Sequence, residues 1–331
     1  MVVYTHEKTA LLIGVESTYG TEVSTTTKVG TIRSIAPNLS WAVSPVQGAG
    51  DGREVQSFVR TRFNARIGIV VELHDFSILR HAVGPLSGDG SSGDPYIITE
   101  ADTVGTDTST DITPFSAEVG SEGSTEDVDT YTGCVIDNFT LDFVLGEPVV
   151  GSFEIITQKV TSSTSKTSYS PLTTKPFYFH SGTFKWGTTP SSVSKVRSVR
   201  ITYRNNLIVY GDWGTPLIAQ PEAGKREILW SATLVMTDSV ASSLRDDFYG
   251  QSNSPVTAPG SMPFTSNNEL HIVLDEGSSS GDKDATIQLD HCIIESISKP
   301  IDIGSGDLVL VTFTGRAATS KSDEFVTWYT N

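Results

Sequence analysis

The chain has 331 residues, and its 39 acidic residues against 23 lysines and arginines give a formal charge of −16 and a pI near 4.7. This balance excludes nucleic-acid binding through a basic patch. No apolar run reaches the roughly 20 residues that span a bilayer, and the opening residues carry no basic-then-apolar signal pattern, so synthesis and assembly in the cytosol and no membrane insertion are expected. The acid is unevenly spread, with no lysine or arginine between Arg80 and Lys159.

In chain order, Ala10–Val15 is apolar and Glu16–Lys28 polar, which reads as an N-terminal arm and loop over residues 1–30. Ile32–Ile35 and Val55–Arg62 read as strands joined by a long Gly/Pro-rich loop from Ser44 to Gly52 that contains Pro45, Gly48 and Gly50. Ile67–Leu73 is β-branched and apolar, a buried strand. Asp75–Val83 has a helical pattern, with Asp75 as cap, Phe76, Leu79 and Val83 on one face, and Gly84-Pro85 as stop. Gly84–Glu126 is mostly loop, with strand signals only at Tyr96–Thr99 and Ile112–Val119.

Cys134–Gly146 alternates apolar and polar residues from Phe139 to Leu145, as a strand with one buried face does, and turns at Gly146-Glu147-Pro148 into Val149–Ile156. The sequence writes this stretch twice. Cys292–Gly304 aligns with it without a gap: Val135, Ile136, Phe139, Phe143 and Leu145 meet Ile293, Ile294, Ile297, Ile301 and Ile303, and Thr140 meets Ser298.

Between the copies lies a Ser/Thr/Lys-rich stretch, Val160–Lys175, after which the earlier order returns. Trp186-Gly187-Thr188 answers Tyr19-Gly20-Thr21, Val196–Val199 answers Ile32–Ile35, and Asn206-Leu207 answers Asn38-Leu39. A second Gly/Pro-rich loop, Gly211–Gly224, contains Trp213, Pro216 and Pro221. The strand Ile228–Met236, the helix Asp238–Tyr249, the hairpin of Glu269–Asp275 with Thr286–Leu289, and Leu308–Thr314 follow.

The reading is therefore mostly β, with two tandem antiparallel sandwich or barrel domains, each flanked by one short α-helix. Their bounds are an arm over 1–30, a first domain over 31–160, a linker over 161–185, a second domain over 186–316 and a C-terminal arm over 317–331. Two cysteines at matching positions suit small buried side chains, not a bridge between the copies.

Catalytic and ligand signals are weak. Gly277–Gly281 fits G-x-S-x-G but sits at a hairpin tip, without the strand-to-helix context of a nucleophile elbow. The six histidines have no metal-ligand spacing, and the carboxylates in Gly88–Asp94 and Asp282–Asp284 follow no calcium-loop pattern. The sequence implies no enzyme and no cofactor.

Several stretches together carry a family likeness. Gly14–Thr21, Val196-Arg197-Ser198 leading to Asn205-Asn206-Leu207, Phe248-Tyr249-Gly250, and Cys292-Ile293-Ile294 followed by Leu308–Thr314 and Arg316-Ala317 resemble the tail tube (major tail) proteins of long-tailed phages and their archaeal-virus relatives. The resemblance covers nearly the whole length and departs from the one-domain pattern by its duplication. It implies a structural protein of the virion tail whose inner sheets join edge to edge around a lumen, in rings that stack into a tube conducting DNA. With two domains per chain, three chains would close a pseudo-sixfold ring. The loops containing Ser44, Pro45, Gly48, Gly50 and Gly52, and Trp213, Pro216, Pro221 and Gly224, occupy the place of the ring-stacking hairpin. Partners implied are further copies of the chain, tape-measure, tail terminator and distal tail or baseplate proteins, and DNA that passes without specific binding.

The acidic balance adds the expectation of a net-negative lumen, which repels DNA within a Debye length of about 8 Å. Two other readings stay open: six-subunit rings with the second domain as external decoration, and a secreted carbohydrate-binding or adhesin-like sandwich. A hydrolase has the least support.

Overall fold

A computed structural model of the chain describes residues 9–47, 55, 57–121, 127–163, 165, 167–168, 172, 174–180, 182–211, 214–235, 244, 247–248, 268–275, 282–299, 309–320 and 324–330. The strands of the first half are β1 (Thr9–Val15), β2 (Thr27–Lys28), β3 (Thr31–Val46), β4 (Ser57–Glu72), β5 (Leu86–Ser87), β6 (Tyr96–Thr99), β7 (Phe115–Ser121), β8 (Asp127–Val144), β9 (Val150–Thr157) and β10 (Lys159–Ser163). Those of the second half are β11 (Thr183–Gly187), β12 (Ser191–Val193), β13 (Val196–Arg204), β14 (Glu227–Val235), β15 (Asn268–Asp275), β16 (Lys283–Ser298), β17 (Leu310–Ala317), β18 (Thr319–Ser320) and β19 (Glu324–Thr330). All strand pairings are antiparallel.

One sheet runs through both halves in the order β3-β4-β9-β8-β13-β14-β17-β16. One face is closed by the apolar side chains expected of alternating strands, among them Ile67, Phe139, Leu141, Ile201, Trp230 and Phe313. Two further sheets supply the opposing walls: β1, β2, β7 and β10 with the start of β8, and β5, β6, β11, β12, β15, β18 and β19 with the start of β16. The core is a single cluster that contains residues of both halves, from Leu11 to Trp328. Aromatic contacts run through the join, with Phe139 stacked on Tyr203 at 5.1 Å and edge-on to Phe325 at 5.8 Å.

The repeated stretch lies where the chain changes sheets. Cys134 pairs with Phe115 in one sheet and the next residue, Val135, with Ile156 in the long one. Cys292 pairs with Asn268 and Ile293 with Arg316, in the same manner. The residue before each cysteine has a left-handed backbone: Gly133 at φ 66° and His291 at φ 50°. A strand that must bend between two sheets needs such a kink, which glycine adopts without cost and histidine adopts more readily than most residues. Both cysteines are thiols outside any disulfide and fully buried, and burial pushes both up from their ordinary pKa.

The backbone irregularities also match. β3 bulges at Arg33, between Ile32 and Ser34, and β13 bulges at Arg197, between Val196 and Ser198. β8 bulges at Asp137 and β16 at Glu295, the positions that the gapless alignment of the two cysteine stretches superposes. A bulge adds an unpaired residue and bends its strand, so the two halves share these irregularities of backbone as well as of sequence.

Several expectations change. The stretch Asp75–Val83 forms a five-residue 3-10 helix, Ser77–His81, not an α-helix; its N-cap position, Phe76, supplies no side-chain cap, and Leu79 and Ala82 close i−3 turns at 2.9 Å each. Phe76, Leu79 and Val83 are buried as the pattern predicts. Of the second helix, Leu244, Asp247 and Phe248 are helical and the remainder lies outside the described residues.

The N-terminal arm includes a sheet strand, because β1 pairs along its whole length with β7 and buries Leu11, Leu12 and Ile13. The linker begins as β10, paired with β8, and its Phe177 and Phe179 are buried. The C-terminal arm contains β19, which pairs with β16 of the second half and β6 of the first and buries Phe325, Val326 and Trp328. Two alignments by residue type also shift. Gly187, opposite Glu269, holds the place of Gly14, opposite Ser116, when both are counted from the cysteine pairings; Gly20 does not. Asn206 is in a left-handed turn, whereas Asn38 lies within β3.

Candidate functional site

The long sheet contains an internal seam and has two open edges, and these are built from the same parts. At the seam β8 pairs with β13: Val144 faces Ser198, Asp142 faces Arg200, Thr140 faces Thr202 and Asn138 faces Arg204. On the solvent side Arg200 grips Asp142 with two hydrogen bonds, Nε to Oδ1 at 2.5 Å and Nη2 to Oδ2 at 3.1 Å. Thr140 and Thr202 share a hydroxyl hydrogen bond of 3.2 Å. Among the described residues the outer edges of this sheet are β3 at one end and Ile293–Ser298 of β16 at the other. By the bulges, β3 is the counterpart of β13 and this part of β16 the counterpart of β8. Each edge therefore carries the strand whose counterpart is paired inside the chain.

The second feature is the hairpin of β3 and β4. β4 pairs with β9 only over Ala65–Glu72, while β3 follows it to the pair Val46–Ser57. The ribbon from Ser57 to Asn64 thus projects roughly 25 Å beyond the sheet at about 3.3 Å per residue. It is apolar yet solvent-facing: Phe58 is 70% exposed, Val43 52% and Val59 48%, with Leu39 and Trp41 also exposed. Trp41 packs on Phe63 at 5.1 Å and lies under Arg60 at 5.4 Å, which stiffens the ribbon's middle. Ser44 and Pro45 are thus paired strand residues, opposite Val59 and Phe58, not loop residues. Gly48, Gly50 and Gly52 lie outside the described residues.

The second Gly/Pro-rich loop folds back on the first half. Phe63 N–H donates to the carbonyl of Pro216 at 3.0 Å, bracing the free side of the ribbon. Asn205 donates to the carbonyls of Ala82 and Ile136 at 2.7 and 3.0 Å, and Gln220 donates to that of Val104 at 2.6 Å. Arg226 reaches Glu100, the Ala101 carbonyl and Asp102. Pro216 is exposed, but Pro221 is buried and Gly224 packs so closely on Asn206 that a Cβ would meet its carbonyl oxygen at 2.0 Å. These two residues hold the loop in place. Trp213 and Gly304 lie outside the described residues, and Gly146 forms the β8–β9 turn with φ 84°.

Among the described residues no group of three His, Cys, Asp or Glu side chains could hold a metal ion, and no helix is long and apolar enough to cross a membrane. Two histidines serve local structure: His81 is buried with Nδ1 at 2.6 Å from the Thr113 carbonyl, and His74 bridges Thr31 and Thr174. The G-x-S-x-G match lies outside the described residues. Asp89 accepts the Ser91 N–H at 2.9 Å, a local turn.

Sequence reasoning did not identify the seam partners Asp142 and Arg200, the sheet role of β10, or β19. For the last a signal existed, since Phe325-Val326-Thr327-Trp328-Tyr329 is as rich in β-formers as any strand of the chain. No curated protein matches the sequence. The profile of the family described as phage tail tube protein matches residues 7–317, which spans the two edges, the seam and the projecting hairpin, and the chain belongs to that family.

Proposed function

We propose that three copies of this chain close into a ring of pseudo-sixfold symmetry through edge pairing of β3 with β16, and that such rings stack into a DNA-conducting tail tube. The observation that carries this reading is the seam. Family membership makes the chain a structural protein of the virion tail. The β8–β13 pairing inside it is the join that its open edges repeat between copies, and a contact between different edges that closes on rotation yields a ring. Closure also removes exposed edges that would otherwise template uncontrolled association. The doubled bulges and the doubled sheet crossings at Cys134 and Cys292 support a duplicated tube unit, two per chain.

The projecting ribbon supplies ring-to-ring contact, with Ser44, Pro45 and the exposed Phe58 and Val59 docking on the next ring and Pro216 as buttress. Gly48, Gly50, Gly52 and Trp213 continue the two tips in sequence. Tape-measure, terminator and distal tail or baseplate proteins meet the tube at its lumen and ends, and assembly takes place in the host cytoplasm. The reading assigns no enzymatic step and no cofactor.

The seam predicts the register between copies: Asn38 and Ser298, counterparts of Thr202 and Thr140, face one another, as do Ser40 and Ser296. Directly opposed strand residues bring Cβ atoms to about 5 Å. The N38C/S298C variant, assembled and then oxidised, is expected to give a covalent ladder that ends at three chains on a denaturing gel, while either single variant stays monomeric. A ladder ending at six supports the decorated hexamer instead, and no cross-link in assembled material overturns the edge pairing.

A further inference from the structure

We propose that the carboxylates on the open face of the long sheet act as built-in counter-ions that keep its arginines from binding DNA, so that the lining is neutral by pairing and not acidic by surplus. This rests on the tube reading, in which the open face looks into the lumen. On that face Glu72, Asp142, Glu227 and Glu295 each have an arginine within 3.1 Å. The face carries a ladder of hydroxyl pairs, Thr140 with Thr202, Thr233 with Thr312 and Ser296 with Thr314. Between them stand Arg200, Arg204 and Arg316, each within 3.1 Å of an acid, while Arg66 lies 4.0 Å from Asp137.

Arg200 is held by Asp142 through both arms of its fork. Glu227 takes Arg204 on Oε2 at 3.1 Å and Arg316 on Oε1 at 2.9 Å, and Arg316 also reaches Glu295 through Nε at 2.7 Å. At the far edge Arg33 lies 3.0 Å from Glu72. On this reading mutual neutralisation takes the place of the expected net-negative wall; Glu154 is held by the Asn138 amide, and acids such as Asp89 and Asp107 stand in exposed loops.

Stability does not account for the arrangement, because the arginines are about half exposed and pairs of this kind contribute about 0–1 kcal/mol each. Handling of a polyanion does. Arginine's fork is the side chain best matched to phosphate, and each free cation on such a face would exchange with the counter-ions of DNA and hold it. A guanidinium already bidentate to a carboxylate offers fewer donors and no net charge beyond a short distance. Asp142 and Glu227 are then the residues that decide whether the face slides past a duplex or grips it.

The test uses the full-length chain, dilute and unassembled, and a fluorescein-labelled duplex of about one helical turn or two, read by anisotropy at low salt. Wild type is expected to show no saturable binding. D142N/E227Q, which frees Arg200, Arg204 and one contact of Arg316, is expected to bind at least about tenfold more tightly, with affinity that falls steeply as salt rises. The single variant D142N should show a smaller gain. D89N/D107N removes the same formal charge from exposed turns that asparagine can still make, and should behave as wild type. Adding R200Q and R204Q to D142N/E227Q should abolish the gain, and thermal unfolding verifies that each variant is folded.

Equal gains in the face and loop variants, or no gain in folded D142N/E227Q, overturn the proposal. So does saturable DNA binding by wild type that R200Q/R204Q abolishes. A chain that cross-links into rings yet gains no DNA affinity on D142N/E227Q defeats this inference alone and leaves the tube reading standing.

Discussion

Thr140 on β8 and Thr202 on β13 meet through their hydroxyls at 3.2 Å, in directly opposed positions of the seam that unites the two halves of the chain. Their counterparts by bulge position, Ser298 and Asn38, stand on the sheet's two open edges. Among the described residues, a contact made once within the chain is thus presented again, without a strand partner, at the sheet's borders. This is the geometric basis for reading the molecule as a segment of a closed wall.

The ribbon of β3 and β4 makes assembly and stability separable. Phe58 is 70% exposed, so F58S should change the stability of the isolated chain by no more than about 0.5 kcal/mol. If it docks on the next ring, the same substitution should abolish tubes in electron micrographs while leaving the thermal midpoint of the monomer in place. Tubes of normal length from F58S would remove the ribbon tip from the stacking contact.

Glu16 is fully buried and accepts the Gly133 N–H and the Ser116 hydroxyl on Oε1 and the Gly20 N–H on Oε2, each at 2.8 Å. It locks the chain after β1 onto the kink at Gly133. Glutamine keeps the two bonds to Oε1 but sets an N–H₂ against the Gly20 N–H, so E16Q should lose about 1–3 kcal/mol in urea denaturation, and E16A, which leaves three donors without a partner, should lose more. An unchanged midpoint in both would show that these bonds are replaceable by water.

His81 gives the fold an acid-labile step. Burial lowers its pKa to about 3, with the neighbouring Arg80 acting in the same direction and the Thr113 hydrogen bond opposing. The native state therefore holds His81 neutral where the unfolded chain protonates it. Its stability contribution is complete above pH 6.5 and is lost as pH falls from 6.5 towards about 3, at up to about 1.4 kcal/mol per pH unit. Glu16 acts with the opposite sign: burial raises its pKa above 4.5, so stability returns as pH falls through that raised value. H81Q should flatten the pH 6.5–5 portion of the stability profile measured by denaturant midpoints, and an unaltered slope would mean that other groups govern it.

Cys134 and Cys292 should resist thiol reagents in the native protein, since both are fully buried with raised pKa values, and should both react once the chain is unfolded. Mass spectrometry after brief alkylation distinguishes the two states. Rapid modification of either in native protein would contradict its burial at the sheet crossing.

The strands that were legible in sequence are those with one wet and one dry face. β8 showed as an alternating stretch, β4 as a β-branched run and β14 as its match in the second half, while most of the second alternating stretch, Ile297–Ile303, lies outside the described residues. β1 was not legible, because Leu11, Leu12 and Ile13 are buried in succession and period-two alternation vanishes when both faces are covered. The outer ribbon failed for the opposite reason: from Ala36 to Val46 every residue of β3 is exposed, and its Pro37 and Pro45 read as loop. The likeness between the two halves shows in residue type only where packing demands it. Gly133 and His291 look unrelated in sequence, yet share a backbone conformation.

The most direct test of the central claim is a count of chains around the lumen in cryo-electron micrographs of assembled protein. The account predicts three chains per ring, with six similar sheet segments around the wall and β3 of each chain paired to β16 of its neighbour. Six chains per ring, or rings in which those two edges do not meet, would contradict it.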